Sequence, residues 1–103
     1  MPPTVKDNPD ASRYEVFLDD ELAGHAEYRR TPGRLTLTHT VIDDDLEGQG
    51  IGSTLARGVL DAAREEGREV LPFCEFMAEY IRRHPDDYLD LVPEERRGEF
   101  DLV

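Results

Sequence analysis

Three glycines, Gly48, Gly50 and Gly52, fall within five positions, just ahead of a stretch of helical apolar spacing. Glycine at a helix start lets a ligand come close to the backbone. The first free N–H groups of a helix point outward, and its dipole is positive at that end. Together these features suit an anion, most often a phosphate. Gly48-Gln49-Gly50-Ile51-Gly52 has neither the Lys-Ser/Thr of a P-loop nor the Gly-x-Gly-x-x-Gly of a dinucleotide site. The residues alone therefore support either a phosphate site of another kind or a tight turn feeding a helix. Two further side chains bring reactive chemistry: His39, on the strand ahead of the glycines, and Cys74, the only cysteine of the chain.

The elements that position these residues follow from periodicity. Ile51, Leu55, Val59 and Ala62 recur at helical spacing, and Gly67 stands where a helix C-cap glycine belongs. Before that helix the chain reads as strands. A short one spans Val5 to Asn8. Arg13 to Asp19 alternates, with Tyr14, Val16 and Leu18 on one face. Leu22 to Thr31 and Arg34 to Asp43 follow, separated by Thr31-Pro32-Gly33. Continuous alternation places His39 on one face with Leu35, Leu37 and Val41. After the long helix, Arg68 to Phe73 reads as a strand, parallel to its predecessor because a helix joins them. Cys74 to Arg83 reads as a second helix, with Phe76, Met77, Tyr80 and Ile81 along its apolar side, ended by His84-Pro85. The charged stretch 94–103 reads as a loose tail. Strands followed by helix, strand and helix give an α/β (α+β) sandwich, a mainly antiparallel sheet with one parallel pair and two helices. One domain spans residues 1–103.

Glu47-Gly48-Gln49-Gly50-Ile51-Gly52 resembles the acetyl-CoA motif of the GNAT superfamily of N-acetyltransferases, Gln/Arg-x-x-Gly-x-Gly/Ala. Gly50 and Gly52 match the two small positions; Glu47 stands in the Gln/Arg position and is a departure. The resemblance extends to His39-Thr40 on the preceding strand, Pro72-Phe73-Cys74 after the next one, His84-Pro85 and Leu91-Val92. Over about Val5 to Pro93 the chain is similar to the short, stand-alone GNAT-like subgroup of roughly a hundred residues. It lacks room for the usual helices after the first strand and for the final hairpin of a full-size domain.

This resemblance implies a minimal GNAT-like fold whose parallel strand pair splays apart to admit the pantetheine arm of acetyl-CoA. It implies that the backbone near Val41 and Ile42 contacts pantetheine and the thioester carbonyl. It also implies that Glu47, Gly48, Gln49, Gly50, Ile51, Gly52 and Ser53 surround the pyrophosphate. An N–H aimed at the developing oxyanion is the expected source of rate enhancement. A lysine-like acceptor, with an ordinary pKa of about 10.4, arrives protonated, so a base must take a proton. His39 is the candidate; the alternative is a hydrogen-bonded strand histidine. Cys74, at a helix N-terminus, is a candidate nucleophile, a cofactor-lining residue without chemistry, or a small buried core residue. Tyr80 is either a proton donor to the leaving thiolate or a packing residue. Direct transfer is the expected route. No residue is assigned to a metal.

A formal charge of −12 argues against nucleic acid and against anionic membrane surfaces. The resemblance implies a small-molecule or protein amine as acceptor, and the charge tilts that expectation toward a cationic one. Asp43, Asp44 and Asp45 read as a solvated loop or as acids beside a helix N-terminus. No apolar run spans a membrane, no signal peptide is visible, and one cysteine cannot form an internal disulfide. The expectation is a cytoplasmic, monomeric protein that binds acetyl-CoA or coenzyme A. It is expected to act as an N-acetyltransferase, or in the alternative as a non-catalytic acyl-CoA-binding or interaction module.

Overall fold

The computed structural model describes residues 3–43 and 50–102. Five strands form one sheet in the order β1-β2-β3-β4-β5: β1 (Thr4–Asn8), β2 (Arg13–Leu18), β3 (Glu21–Thr31), β4 (Arg34–Ile42) and β5 (Glu69–Pro72). The hairpin turns are chemically prepared. Asp19 and Asp20 both adopt positive φ, 51° and 69°, between the paired Leu18 and Glu21, the pattern of a two-residue I′ turn. Pro32-Gly33 closes the next hairpin, with Gly33 at φ 74°. The β4–β5 pair is parallel, as a helical crossover requires.

That crossover is α1 (Ile51–Glu65). Its buried stripe is Ile51, Leu55, Ala56, Val59, Leu60 and Ala63. It ends in a Schellman pair of bonds, Arg68 N to Ala63 O and Gly67 N to Arg64 O. Helix α2 (Glu75–Arg83) buries Met77, Ala78 and Ile81. A short α3 (Pro85–Tyr88) begins at the proline that stops α2. Both long helices pack on one face of the sheet, where Tyr14, Val16, Ala26, Tyr28, Leu35 and Leu37 complete a single core. The alternate residues Arg13, Glu15, Phe17, His25, Glu27, His39 and Val41 form the other face, and none of them is buried.

Residues 94–102 differ from the loose tail their charge suggests. Glu94–Phe100 is a 3-10 helix, and Phe100 and Leu102 are buried. Arg82 donates to the Phe100 and Asp101 carbonyls, and Arg97 to those of Val92 and Leu89. Two apolar anchors and four carbonyl bonds thus hold a segment whose composition alone reads as solvated.

Candidate active site

The site is built on a fork in the sheet. Strands β4 and β5 pair from Arg34/Glu69 to Leu37/Pro72. The last backbone bond between them runs from Cys74 N to Leu37 O at 3.1 Å. Strand β4 continues to Ile42, so residues 38–42 present an edge that β5 no longer covers. The fork opens at a β-bulge. Glu27 pairs with His39 and Tyr28 with Leu37, leaving Thr38 as the extra residue. A bulge bends and twists the strand that carries it, here at the point where the parallel partner is lost.

The bulge also decides which side chains face the gap. Uninterrupted alternation would put His39 on the face of Leu35 and Leu37. One extra residue shifts the count, so His39 and Val41 are exposed on the open face, while Ile42 packs against the core. The expected sharing of a face by His39, Leu35, Leu37 and Val41 is therefore corrected, and the cause is Thr38. The backbone follows the same rhythm. Asp43 N donates to Ala23 O, and Val41 O points toward β3, since a Cβ on Gly24 would lie 2.6 Å from it. Alternation in an antiparallel pair then directs the amide groups of Thr40 and Ile42 into the gap. Of the two strand positions singled out from sequence, Ile42 offers its backbone to the gap and Val41 offers it to β3.

Cys74 stands at the apex of the fork, 9 % exposed. It is the N-cap residue of α2 but makes no capping bond with its side chain. Its thiol donates instead to Thr40 Oγ1 across the gap, at 2.9 Å. Thr40 and Cys74 are thus brought together, and His39 is not with them. Thr40 went unassigned in the sequence because regular alternation directs it away from Cys74. His39 lies opposite Glu27, whose carboxylate takes the Nε2 of His25 at 3.1 Å.

The start of α1 forms the second wall. Gly50 is its N-cap at φ 73°, and among the described residues nothing lies within 4 Å of where its Cβ would be. The first intrahelical bond is Thr54 N to Gly50 O, so the N–H groups of Ile51, Gly52 and Ser53 have no partner inside the helix. The first turn carries no acid. Gly52 has a different reason to be glycine: a Cβ there would sit 2.8 Å from Phe76 Cζ and 3.9 Å from Ile42 Cγ1. Gly52, Phe76 and Ile42 therefore join the helix start to the fork. Glu47, Gly48 and Gln49, like Asp44 and Asp45, lie outside the described residues.

Tyr80 is occupied elsewhere. Its ring stacks on His84, with centroids 4.3 Å apart at 25°, and burial raises its phenol above the ordinary range. The His84 Nδ1 lies 3.0 Å from Tyr80 O; a carbonyl only accepts, so Nδ1 carries the proton. Among the described residues no group of three His, Cys, Asp or Glu could hold a metal, and no helix is long and apolar enough to cross a membrane.

A mainly antiparallel sheet with one forked parallel pair beside a glycine-led helix is the architecture of the GNAT acetyltransferases. The profile of GCN5-related N-acetyl-transferases matches residues 13–91, and the chain belongs to that family. A GCN5-like candidate N-acetyltransferase from Staphylococcus aureus shares the fold at a TM-score of 0.63 and 24% identity, over 87% of each chain. Ard1 from Thermoplasma volcanium superposes at a TM-score of 0.51 and 18% identity, over 57% of this chain. That match spans 41% of the Ard1 chain. No match was found among curated proteins.

Proposed function

We propose that this protein is an acetyl-CoA-dependent N-acetyltransferase that passes acetyl directly to an amine. The observation that carries the reading is the fork. It sets the gap-facing amides of Thr40 and Ile42 beside a helix start whose first N–H groups have no partner inside the helix. Pantetheine pairs with a strand edge through its amides, as a peptide does, and a pyrophosphate suits a helix N-terminus whose first turn carries no acid. Gly50, Ile51, Gly52 and Ser53 would hold the pyrophosphate, and Ile42 with Thr40 the pantetheine and thioester. A gap-facing N–H would stabilise the charge that develops on the carbonyl oxygen.

The two faces of β4 divide the labour. Cys74 and Thr40 stand on the cofactor side, while His39 faces the open side with Val41 and Glu27. A cationic amine, drawn by a net charge of −12, would approach from that open side, where His39 can remove its proton. No imidazole accompanies Cys74 to take the thiol proton, which favours direct transfer over an acetyl-thiol intermediate. Holding both reactants in one gap can supply roughly 7–11 kcal/mol of the barrier.

Calorimetry with coenzyme A and acetyl-CoA, followed by acetylation of an amine panel, tests this. Binding and turnover are expected. His39→Ala should lower kcat at neutral pH, while Cys74→Ala keeps most activity and forms no covalent adduct to lose. Acetylated Cys74 at a kinetically competent rate would overturn direct transfer. Binding without turnover would make the protein an acyl-CoA-binding module, and no binding would remove both readings.

A further inference from the structure

We propose that Thr40 is the positioning residue for Cys74 and that the two act as one unit at the apex of the fork. The thiol is the donor in the resting pair, at 2.9 Å. A hydroxyl has one donor and two acceptor sites. It can therefore accept while the sulfur is protonated and turn to donate once a sulfur is anionic. Bonds to an ionised partner are stronger than neutral ones, so Thr40 favours anionic sulfur beside it more than neutral thiol. The pair is fixed from both sides: Thr40 by the shift that follows the Thr38 bulge, Cys74 by its backbone bond to Leu37 O.

Among the described residues few charged groups surround the pair. On α2, Glu75 follows Cys74 in sequence, but its carboxylate is turned outward to Arg82 at 3.2 Å. On β4, His39 faces the opposite side of the sheet. The first turn of α1 has no acid, and the nearest ionisable residue on β5 is Glu69, at the far end of that strand and paired with Arg34. Among the described residues Thr40 is thus the polar side chain that meets the thiol.

The use made of this pair rests on the acetyl-CoA reading: an anionic sulfur appears in the gap when coenzyme A leaves. The test does not rest on it. Because the chain has one cysteine, iodoacetamide alkylation of the full chain at pH 7.5, followed by intact mass, reports Cys74 alone without cofactor. Only thiolate reacts. Thr40→Val should slow alkylation about 5-fold, the difference expected between a bond to a charged and to a neutral partner, and Thr40→Ser should restore the rate to within about 2-fold. In concentrated urea all three proteins should react alike. A Thr40→Val protein that reacts as fast as the parent or faster would overturn the proposal. So would a Thr40→Ser protein as slow as the valine variant. If Thr40→Val does not fold, Thr40→Ala compared with Thr40→Ser decides by the same criterion. Failure of coenzyme A to bind would strike the cofactor reading and leave this result standing.

Discussion

The two glycines of the α1 start should respond differently to the same added methyl group. At Gly52 a Cβ would lie 2.8 Å from Phe76 Cζ, whereas carbon–carbon contacts settle near ~3.5–4.0 Å. The ring must retreat by about 1 Å, and overpacking of that kind costs about 1–3 kcal/mol. Alanine in place of glycine within a helix returns about 1 kcal/mol. Gly52→Ala should therefore cost between nothing and about 2 kcal/mol. In a Phe76→Leu background the ring tip is gone, and the same substitution should stabilise by about 1 kcal/mol. The coupling, read from urea unfolding of the four proteins, is then about 1–3 kcal/mol. Gly50→Ala should cost about 1 kcal/mol in either background, because its penalty is the positive φ and no described residue lies against it. It should also weaken coenzyme A binding about tenfold by lining the phosphate approach. A Gly52→Ala effect that is the same in both backgrounds within about 0.5 kcal/mol would refute the packing argument.

Three other outcomes follow from the described contacts. Gly24→Ala puts a Cβ 2.6 Å from the Val41 carbonyl oxygen; backbone cannot step aside, so a loss of about 2–3 kcal/mol in urea unfolding is expected, and a loss below about 0.5 would contradict it. Phe100→Ala should cost about 3–5 kcal/mol, since the ring is buried and stacks edge-on with Phe73 at 5.1 Å; an unchanged unfolding midpoint would mean the C-terminal segment is not docked. Burial, and then the bond donated to Asp61, push the Tyr88 phenol up to about 12. A raised value means that stability is held below the unfolded value of about 10 and lost as pH climbs toward about 12. Tyr88→Phe should cost about 1 kcal/mol at pH 8 and make the alkaline decline between about pH 10 and pH 12 shallower; an identical alkaline limb would remove Tyr88 ionisation as its cause.

Much of the fold was legible because its signals are local. The stripe of α1, the Pro32-Gly33 turn, and His84-Pro85 as a stop all depend on a few adjacent residues. The parallel pairing followed from one helix between two strands. Thr38 was not legible: nothing in Arg-Leu-Thr-Leu-Thr-His-Thr-Val-Ile distinguishes an extra threonine from an alternating one, and pairing with β3 alone reveals it. That single residue decides that Thr40, not His39, meets Cys74. Gly52 was read as clearance for a ligand, and the structure shows in addition that it is clearance for Phe76, a helix–helix contact invisible to a one-dimensional motif. The tail misled by composition: Phe100 and Leu102 are two residues among charges, yet two buried side chains suffice when arginines bind the intervening carbonyls.

The open edge of β4 has a consequence for solubility. Thr38-His39-Thr40-Val41-Ile42 is rich in β-branched residues and carries no permanent charge. Such an unpaired edge is a template for a strand from another copy. The net charge of −12 repels other copies over a screening length of about 8 Å in physiological salt and about 3 Å in molar salt. Concentrated salt should therefore promote self-association of the free protein. A ligand lying along the edge should suppress it, making light scattering against salt a ligand-sensitive measure of whether the slot is filled.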